Sequence, residues 1–156
     1  LGRRDLVCVF LGSGSDRYRK TLEQQIAALG LGGVCKFVPN CADMPAAYML
    51  ADVVVSASTR PEGFGRVIAE ALAMGRPVIA AGHGGANEIV RHDVTGWLTP
   101  PDDAKALARA LQLALSLSGA ERASLAERAI ASVVGRFSRD AMTQRTIAVY
   151  EEILWD

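Results

Sequence analysis

Two carboxylates, Glu62 and Glu70, stand eight residues apart in the run TRPEGFGRVIAEALAMG, residues 59–75. Gly63 and Gly65 lie between them, and from Gly65 onward the apolar residues take up helical spacing. Glycines let a backbone approach a ligand closely. A helix starting near Gly65 turns its unbonded N–H groups and its positive dipole end toward the same place. That combination suits an anion, and a diphosphate in particular. A carboxylate at the mouth of such a site has little to offer phosphate. It has much to offer hydroxyls, which a sugar ring or a ribose presents in adjacent pairs. Glu62 sits at that mouth, and Glu70 lies more than a turn into the helix, where a ribose would fall with its phosphates at the N-terminus. The pattern therefore suits a nucleoside diphosphate sugar. A plainer reading fits the spacing equally well. Arg66 and Glu70 are four residues apart, so they also fit a solvent-facing stripe with a weak ion pair.

The elements that must position these residues can be read from the same pattern. DLVCVFL (5–11) is an apolar run closed by GSGS, a buried strand and a tight turn. Residues 16–29 follow as an amphipathic helix with Leu22, Ile26 and Leu29 on one stripe. VCKFV (34–38) is a second strand, stopped by Pro39. A short helix spans 44–50, and DVVVSAS (52–58) is a β-branched, unalternating strand of the kind that is covered on both faces. After the glycine-rich loop and its helix come a strand at 77–81, a short helix within GGANEIVRH, and a strand at 95–99. Three helices then follow, over 102–117, 120–135 and 139–154. Asp102 and Asp103 are read as capping the first of these, with Leu107, Leu111 and Leu115 on its apolar stripe. Strands alternating with helices through short loops define an α/β class: one doubly wound parallel sheet with a helical C-terminal tail. In such sheets ligands bind beyond the carboxyl ends of the strands, which is where the PEGFG loop falls.

Composition narrows the function classes. The 156 residues suit one domain, with half of them hydrophobic and 22% charged. Seventeen basic and seventeen acidic side chains cancel, so no overall field recruits nucleic acid or an anionic membrane. No apolar run reaches the length of a bilayer span. The three cysteines, Cys8, Cys35 and Cys41, have no Cys-x-x-Cys spacing. Cys8 and Cys35 fall in strand-like runs and read as reduced core thiols, which fits a reducing, cytoplasmic setting. With two histidines and no paired cysteines there is no metal-ligand cluster, and no cofactor is expected.

A second glycine-rich turn, GSGSDR, supplies Gly12 and Gly14 but has Arg17 where a dinucleotide fingerprint needs its third glycine. The next strand ends in FVPN, with no ribose-binding acid, so a dehydrogenase is disfavoured. A sharp turn that can contact phosphate fits these residues better.

The run ADVVVSASTRPEGFGRVIAEALAMGRPVIAAGHGGANEIVRHDVTGWLTPPDD closely resembles the C-terminal domain of retaining glycosyltransferases of family 4 (group 1), which have the GT-B fold. The family's Glu-x₇-Glu signature falls on Glu62 and Glu70, its Gly-x-Pro-Val strand on Gly75 to Val78, its Gly-Gly-x-x-Glu-Ile-Val on Gly84 to Val90, and its Thr-Gly-x-Leu on Thr95 to Leu98. VFLGSG and the tail RFSRDAMTQRTIAVYEEIL are similar to family segments as well, so the resemblance covers essentially the whole chain. It implies a donor-binding domain in which Glu62 is the catalytic carboxylate on the donor sugar's hydroxyls, with the backbone amides of Phe64 and Gly65 beside it. Glu70 would take the ribose hydroxyls, Gly12 and Gly14 would lie near the donor, and the base would rest near Val38 and Pro39. Glu88 has a weaker case, and His83 reads as a loop residue.

The resemblance also implies a nucleotide-sugar donor as ligand, transfer without a metal, and an N-terminal acceptor domain of the same protein as partner. Peripheral membrane contact of that longer protein stays open. In the family, an Arg and a Lys that neutralise the diphosphate lie on a first strand and helix that would precede residue 1. Gly2-Arg3 runs straight into a strand and is not taken as their equivalent. The chain is accordingly expected to be part of a longer enzyme and inactive alone. Two alternatives share these residues: a non-catalytic nucleotide-sugar-binding module, and a GT-B relative of the nucleotide-sugar epimerase kind.

Overall fold

The computed structural model describes Arg3 and residues 5–155; Gly2 of the Gly2-Arg3 pair lies outside the described residues. The chain forms two compact units, Leu1–Ala47 and Tyr48–Asp156.

In the first unit, β1 (Cys8–Leu11) and β2 (Cys35–Val38) pair in parallel, joined by α1 (Asp16–Ala28). Ser15 starts this helix by accepting from the Tyr18 amide, with Asp16 in the first turn, as expected of an N-terminus. Phe10 and Phe37 face each other across the ladder and stack at 5.0 Å. Cys8 stands opposite Cys35 in register. The core-thiol expectation fails at Cys8, which is exposed along with the rest of β1, while Cys35 is half-buried. An apolar strand is buried only where another layer covers it, and sequence periodicity does not report that layer.

α2 (Met44–Leu50) leads into the second unit, built from β3 (Val54–Ser56), α3 (Arg66–Ala73), β4 (Val78–Ala81), α4 (Ala86–Ile89) and β5 (Trp97–Thr99). Its three strands are parallel in the order β3-β4-β5. All four residues of β4 are buried, which explains its unalternating apolar sequence. α3 packs on β3 and β4, and α5 (Ala104–Ser116) packs on β4 and β5. The parallel α/β class is as expected, but the described hydrogen-bonded ladders are two, one of two strands and one of three.

Three helices complete the unit: α5, α6 (Gly119–Phe137) and α7 (Arg139–Trp155). Asp103 caps α5 by accepting from the Ala106 amide at 2.8 Å. Asp102 lies outside the helix at φ +58°, not in a shared cap. The most buried stripe of α5 is Ala106, Ala110 and Ala114, with Leu107 and Leu111 flanking it against a core of Ile79, Trp97 and Leu125. α6 opens with a capping box between Ser118 and Glu121, which holds the Glu121 carboxyl below its ordinary range. Its buried stripe is Leu125, Ala129 and Val133, and it packs on α3. The helix carrying Glu70 is thus sandwiched between strands and α6, not laid on the outside of the sheet.

Candidate functional site

The loop between β3 and α3 takes its shape from glycines at two places. Gly65 caps α3 with φ +83° and ψ +58°, a left-handed conformation that side chains with a Cβ rarely adopt. No side chain caps this end of α3, so its first amides keep the exposed donors that a helix N-terminus offers. The second place is the Gly84-Gly85 pair after β4. The Gly85 amide donates to the Glu62 carbonyl at 2.9 Å. A Cβ on Gly85 would lie 2.3 Å from the Phe64 carbonyl oxygen, and one on Gly84 would lie 2.5 Å from that of Glu62. GHGG is therefore the floor on which PEGFG rests. Gly63 differs from both. Its φ is not positive, and a Cβ there would meet nothing within 4 Å, so it leaves open room above the loop.

Glu62 borders a cavity of about 10 Å³ whose other polar walls are Ser56, Ser58 and His83. No sugar ring fits that volume. His83 is more than a loop residue. Its Nε2 lies 2.8 Å from the Ser58 carbonyl. A carbonyl only accepts, so Nε2 carries a proton. The ring Nδ1 is buried without a hydrogen-bond partner. His83 thus ties the end of β4 to the segment that leads into the glutamate loop. Sequence reading missed this role, because the partner is a backbone carbonyl 25 residues away.

Glu70 has hydrogen-bond partners on two sides. Arg66 donates to its Oε1 from Nη2 at 3.0 Å and from Nε at 3.2 Å, so the ion pair suggested by the spacing forms. The second contact was not foreseen. The Tyr48 hydroxyl donates to Oε2 at 3.0 Å. Tyr48 is 5% exposed, and burial, reinforced by the hydrogen bond and charge of Glu70, pushes its phenol up to about 12. Phe64 is partly exposed and packs its ring edge-on against Phe137 at 5.3 Å. A hollow of about 560 Å³ opens beside it, bordered by Arg136, Met142 and Arg145. Glu88 contributes its carbonyl to this region, accepting from Arg136 at 2.7 Å, and its side chain is exposed.

The other expected contacts lie in the first unit. The Gly12 amide donates to the Val38 carbonyl at 3.1 Å, and Gly12 has φ +130°. Gly14 and Pro39 are exposed. The GSGS turn and the end of β2 are therefore tied to each other. Among the described residues no group of three or more His, Cys, Asp or Glu gathers as a metal site, and no helix is long and apolar enough to cross a membrane.

The family described as Glycosyl transferases group 1 matches residues 2–132. D-inositol 3-phosphate glycosyltransferase of Salinispora tropica is 40% identical over 153 residues, covering 95% of this chain and 31% of its own length. The crystal structure of Anabaena HepE in complex with UDP superposes with a TM-score of 0.90 at 34% identity, covering 96% of this chain and 42% of that one. The same protein in complex with UDP-glucose gives 0.87 at 35%, over 96% and 42%. The C-terminal domain of a glycosyl transferase group 1 family protein from Francisella tularensis gives 0.77 at 30%, over 88% and 73%. This chain spans about a third of the length of the first of these relatives.

Proposed function

The chain belongs to the glycosyl transferases group 1 family, and on that premise we propose that it is the donor-binding domain of a retaining glycosyltransferase. The whole enzyme moves a sugar from a nucleoside diphosphate sugar to an acceptor hydroxyl. The observation that carries this reading is the seating of Glu62 on the Gly84-Gly85 floor, at the uncapped N-terminus of α3, with Glu70 further along the same helix. The UDP and UDP-glucose complexes of Anabaena HepE support it by similarity. In this reading Glu62 accepts from the transferred sugar's hydroxyls, and the amides at Phe64 and Gly65 lie beside them. The bond between the anomeric carbon and the diphosphate oxygen breaks, a bond to the acceptor oxygen forms on the same face of the ring, and the acceptor hydroxyl gives its proton to the departing diphosphate. Negative charge grows on the departing diphosphate, where the α3 N-terminus and its dipole are placed to stabilise it. No metal takes part, and the acceptor domain belongs to the longer protein. Gly12 and Gly14 lie near the donor phosphates, and Val38 and Pro39 near the base. The enzyme is cytoplasmic.

Two glutamates with different ligands give a test that separates their roles. In the full-length protein, Glu70→Ala weakens binding of the free nucleoside diphosphate, because the ribose is common to donor and product. Glu62→Ala leaves that binding intact and slows transfer. Loss of hydrogen bonds to a charged acceptor costs about 1.5–3 kcal/mol at each position, or roughly tenfold to a hundredfold. Titration calorimetry with UDP, beside initial rates with and without EDTA, reads these outcomes. Wild-type affinity in both mutants, or activity abolished by EDTA and restored by magnesium, overturns the reading.

A further inference from the structure

Glu70 has a flexible side chain, and its contact with Arg66 does little to hold it. The Arg66 side chain is 84% exposed and that of Glu70 39%, so the pair is of the solvent-screened kind that restrains a carboxylate weakly. Tyr48 is different in kind. It comes from α2, a separate element, and its ring is buried. A tyrosine has only two side-chain torsions to fix, and packing fixes both. Its hydroxyl reaches Oε2 at 3.0 Å, while both Arg66 donors fall on Oε1. A carboxylate has about four acceptor positions, two on each oxygen. Three donors leave one position on Oε2, and its direction is set by the plane in which Tyr48 holds the group.

We propose that Tyr48 is a positioning residue for the nucleotide site, its buried hydroxyl fixing the plane of Glu70 so that the acceptor position left on Oε2 meets a ribose hydroxyl. The proposal rests on the assignment of the ribose to Glu70. A buried phenol also needs a partner for its own sake, since an unpaired buried hydroxyl is costly. A purely structural role is therefore the competing account, and the two differ in what they do to ligand choice. A structural partner supports every nucleotide alike. A positioning partner supports only those that carry ribose hydroxyls. The raised phenol pKa, about 12, keeps the group a donor throughout the physiological range.

The test uses the full-length protein, with UDP and 2′,3′-dideoxy-UDP as probes in titration calorimetry. Wild type is expected to prefer UDP by about tenfold or more, the worth of a good charge-assisted hydrogen bond. Glu70→Ala abolishes the preference. Tyr48→Phe, which keeps the ring and removes only the hydroxyl, reduces it to about two- to threefold without changing affinity for the dideoxy nucleotide. In a Glu70→Ala background Tyr48→Phe adds nothing. Unchanged dideoxy binding also serves as the control that the variant is folded. If Glu70→Ala abolishes the preference while Tyr48→Phe retains all of it, or weakens both nucleotides equally, the positioning role is overturned and the ribose assignment stands. If Glu70→Ala keeps the preference, the ribose assignment falls, and the role of Tyr48 with it.

Discussion

Tyr48 and Glu70 are 22 residues apart in sequence and 3.0 Å apart in space. The pair makes stability depend on pH in a way that identifies it. Tyr48 is an acid whose folded pKa, about 12, is raised above the ordinary value of 10. Folding therefore favours the neutral phenol. The contribution is fully present below pH 10 and is lost as pH rises through 12. Denaturant midpoints measured between pH 9 and 12 are expected to fall faster for wild type than for Tyr48→Phe, whose ring cannot ionise. Parallel curves would show that the phenol is not held neutral by the fold. Of the candidate residues, Glu62 and Glu70 were legible as a pair because eight residues separate them at a glycine-rich helix start. Tyr48, and His83 with its bond to the Ser58 carbonyl, were not, because their partners come from other elements.

At the scale of elements, the glutamate loop is only as well placed as the turn beneath it. Gly85→Ala drives a Cβ to 2.3 Å from the Phe64 carbonyl oxygen. Neither is the yielding end of a flexible side chain, so the loop must shift. Overpacking of this kind costs about 1–3 kcal/mol, and a displacement near 1 Å at a catalytic group can cost roughly a hundredfold in rate. Gly63→Ala is the complementary change. Its Cβ meets nothing within 4 Å, so thermal stability is expected to hold while, on the proposed donor placement, nucleotide-sugar binding falls. Melting curves and transfer rates on the two variants separate a glycine needed by the fold from one needed by the ligand. Equal loss of stability in both would refute the distinction. The order of strands and helices was readable from the alternation of apolar runs with helical stripes and from Asp102 and Asp103 at a helix start, of which Asp103 is the cap; the caps at Ser15 and Ser118 came only with the structure. Strand ends were less readable. The strand over 52–58 contracts to Val54–Ser56, since only these three residues fall in the pairing register of β4.

At the scale of the molecule, the two compact units differ in how much they bury. β4 is buried along its whole length between strand neighbours on both sides, whereas all four residues of β1 are exposed in a two-stranded ladder. Two strands alone are marginal, and three or more with packed faces are not. Hydrogen exchange should therefore find the amides of Ile79–Ala81 opening only with global unfolding, and those of Val9–Leu11 opening locally. A gap of about 3 kcal/mol between these openings gives roughly a hundredfold difference in exchange rate. Equal protection of β1 and β4 would show that the units unfold as one.

What the sequence determined by itself is local. The capping residues, the helical and extended stripes, the glycine-rich loops and the paired glutamates depend on neighbours within one or two turns of chain. Tertiary structure decided what lies across space. It settled which apolar strand is covered, β4 and not β1, and which helix is sandwiched, α3 beneath α6. It also settled which glycines are floor and which are open room, and which buried hydroxyl grips Glu70. The physical reason is that burial, close approach and hydrogen-bond partnership are properties of pairs of segments. Side-chain periodicity within one segment reports only the face that seeks a partner. Which partner meets it depends on how the strands are ordered and how the helices cross them.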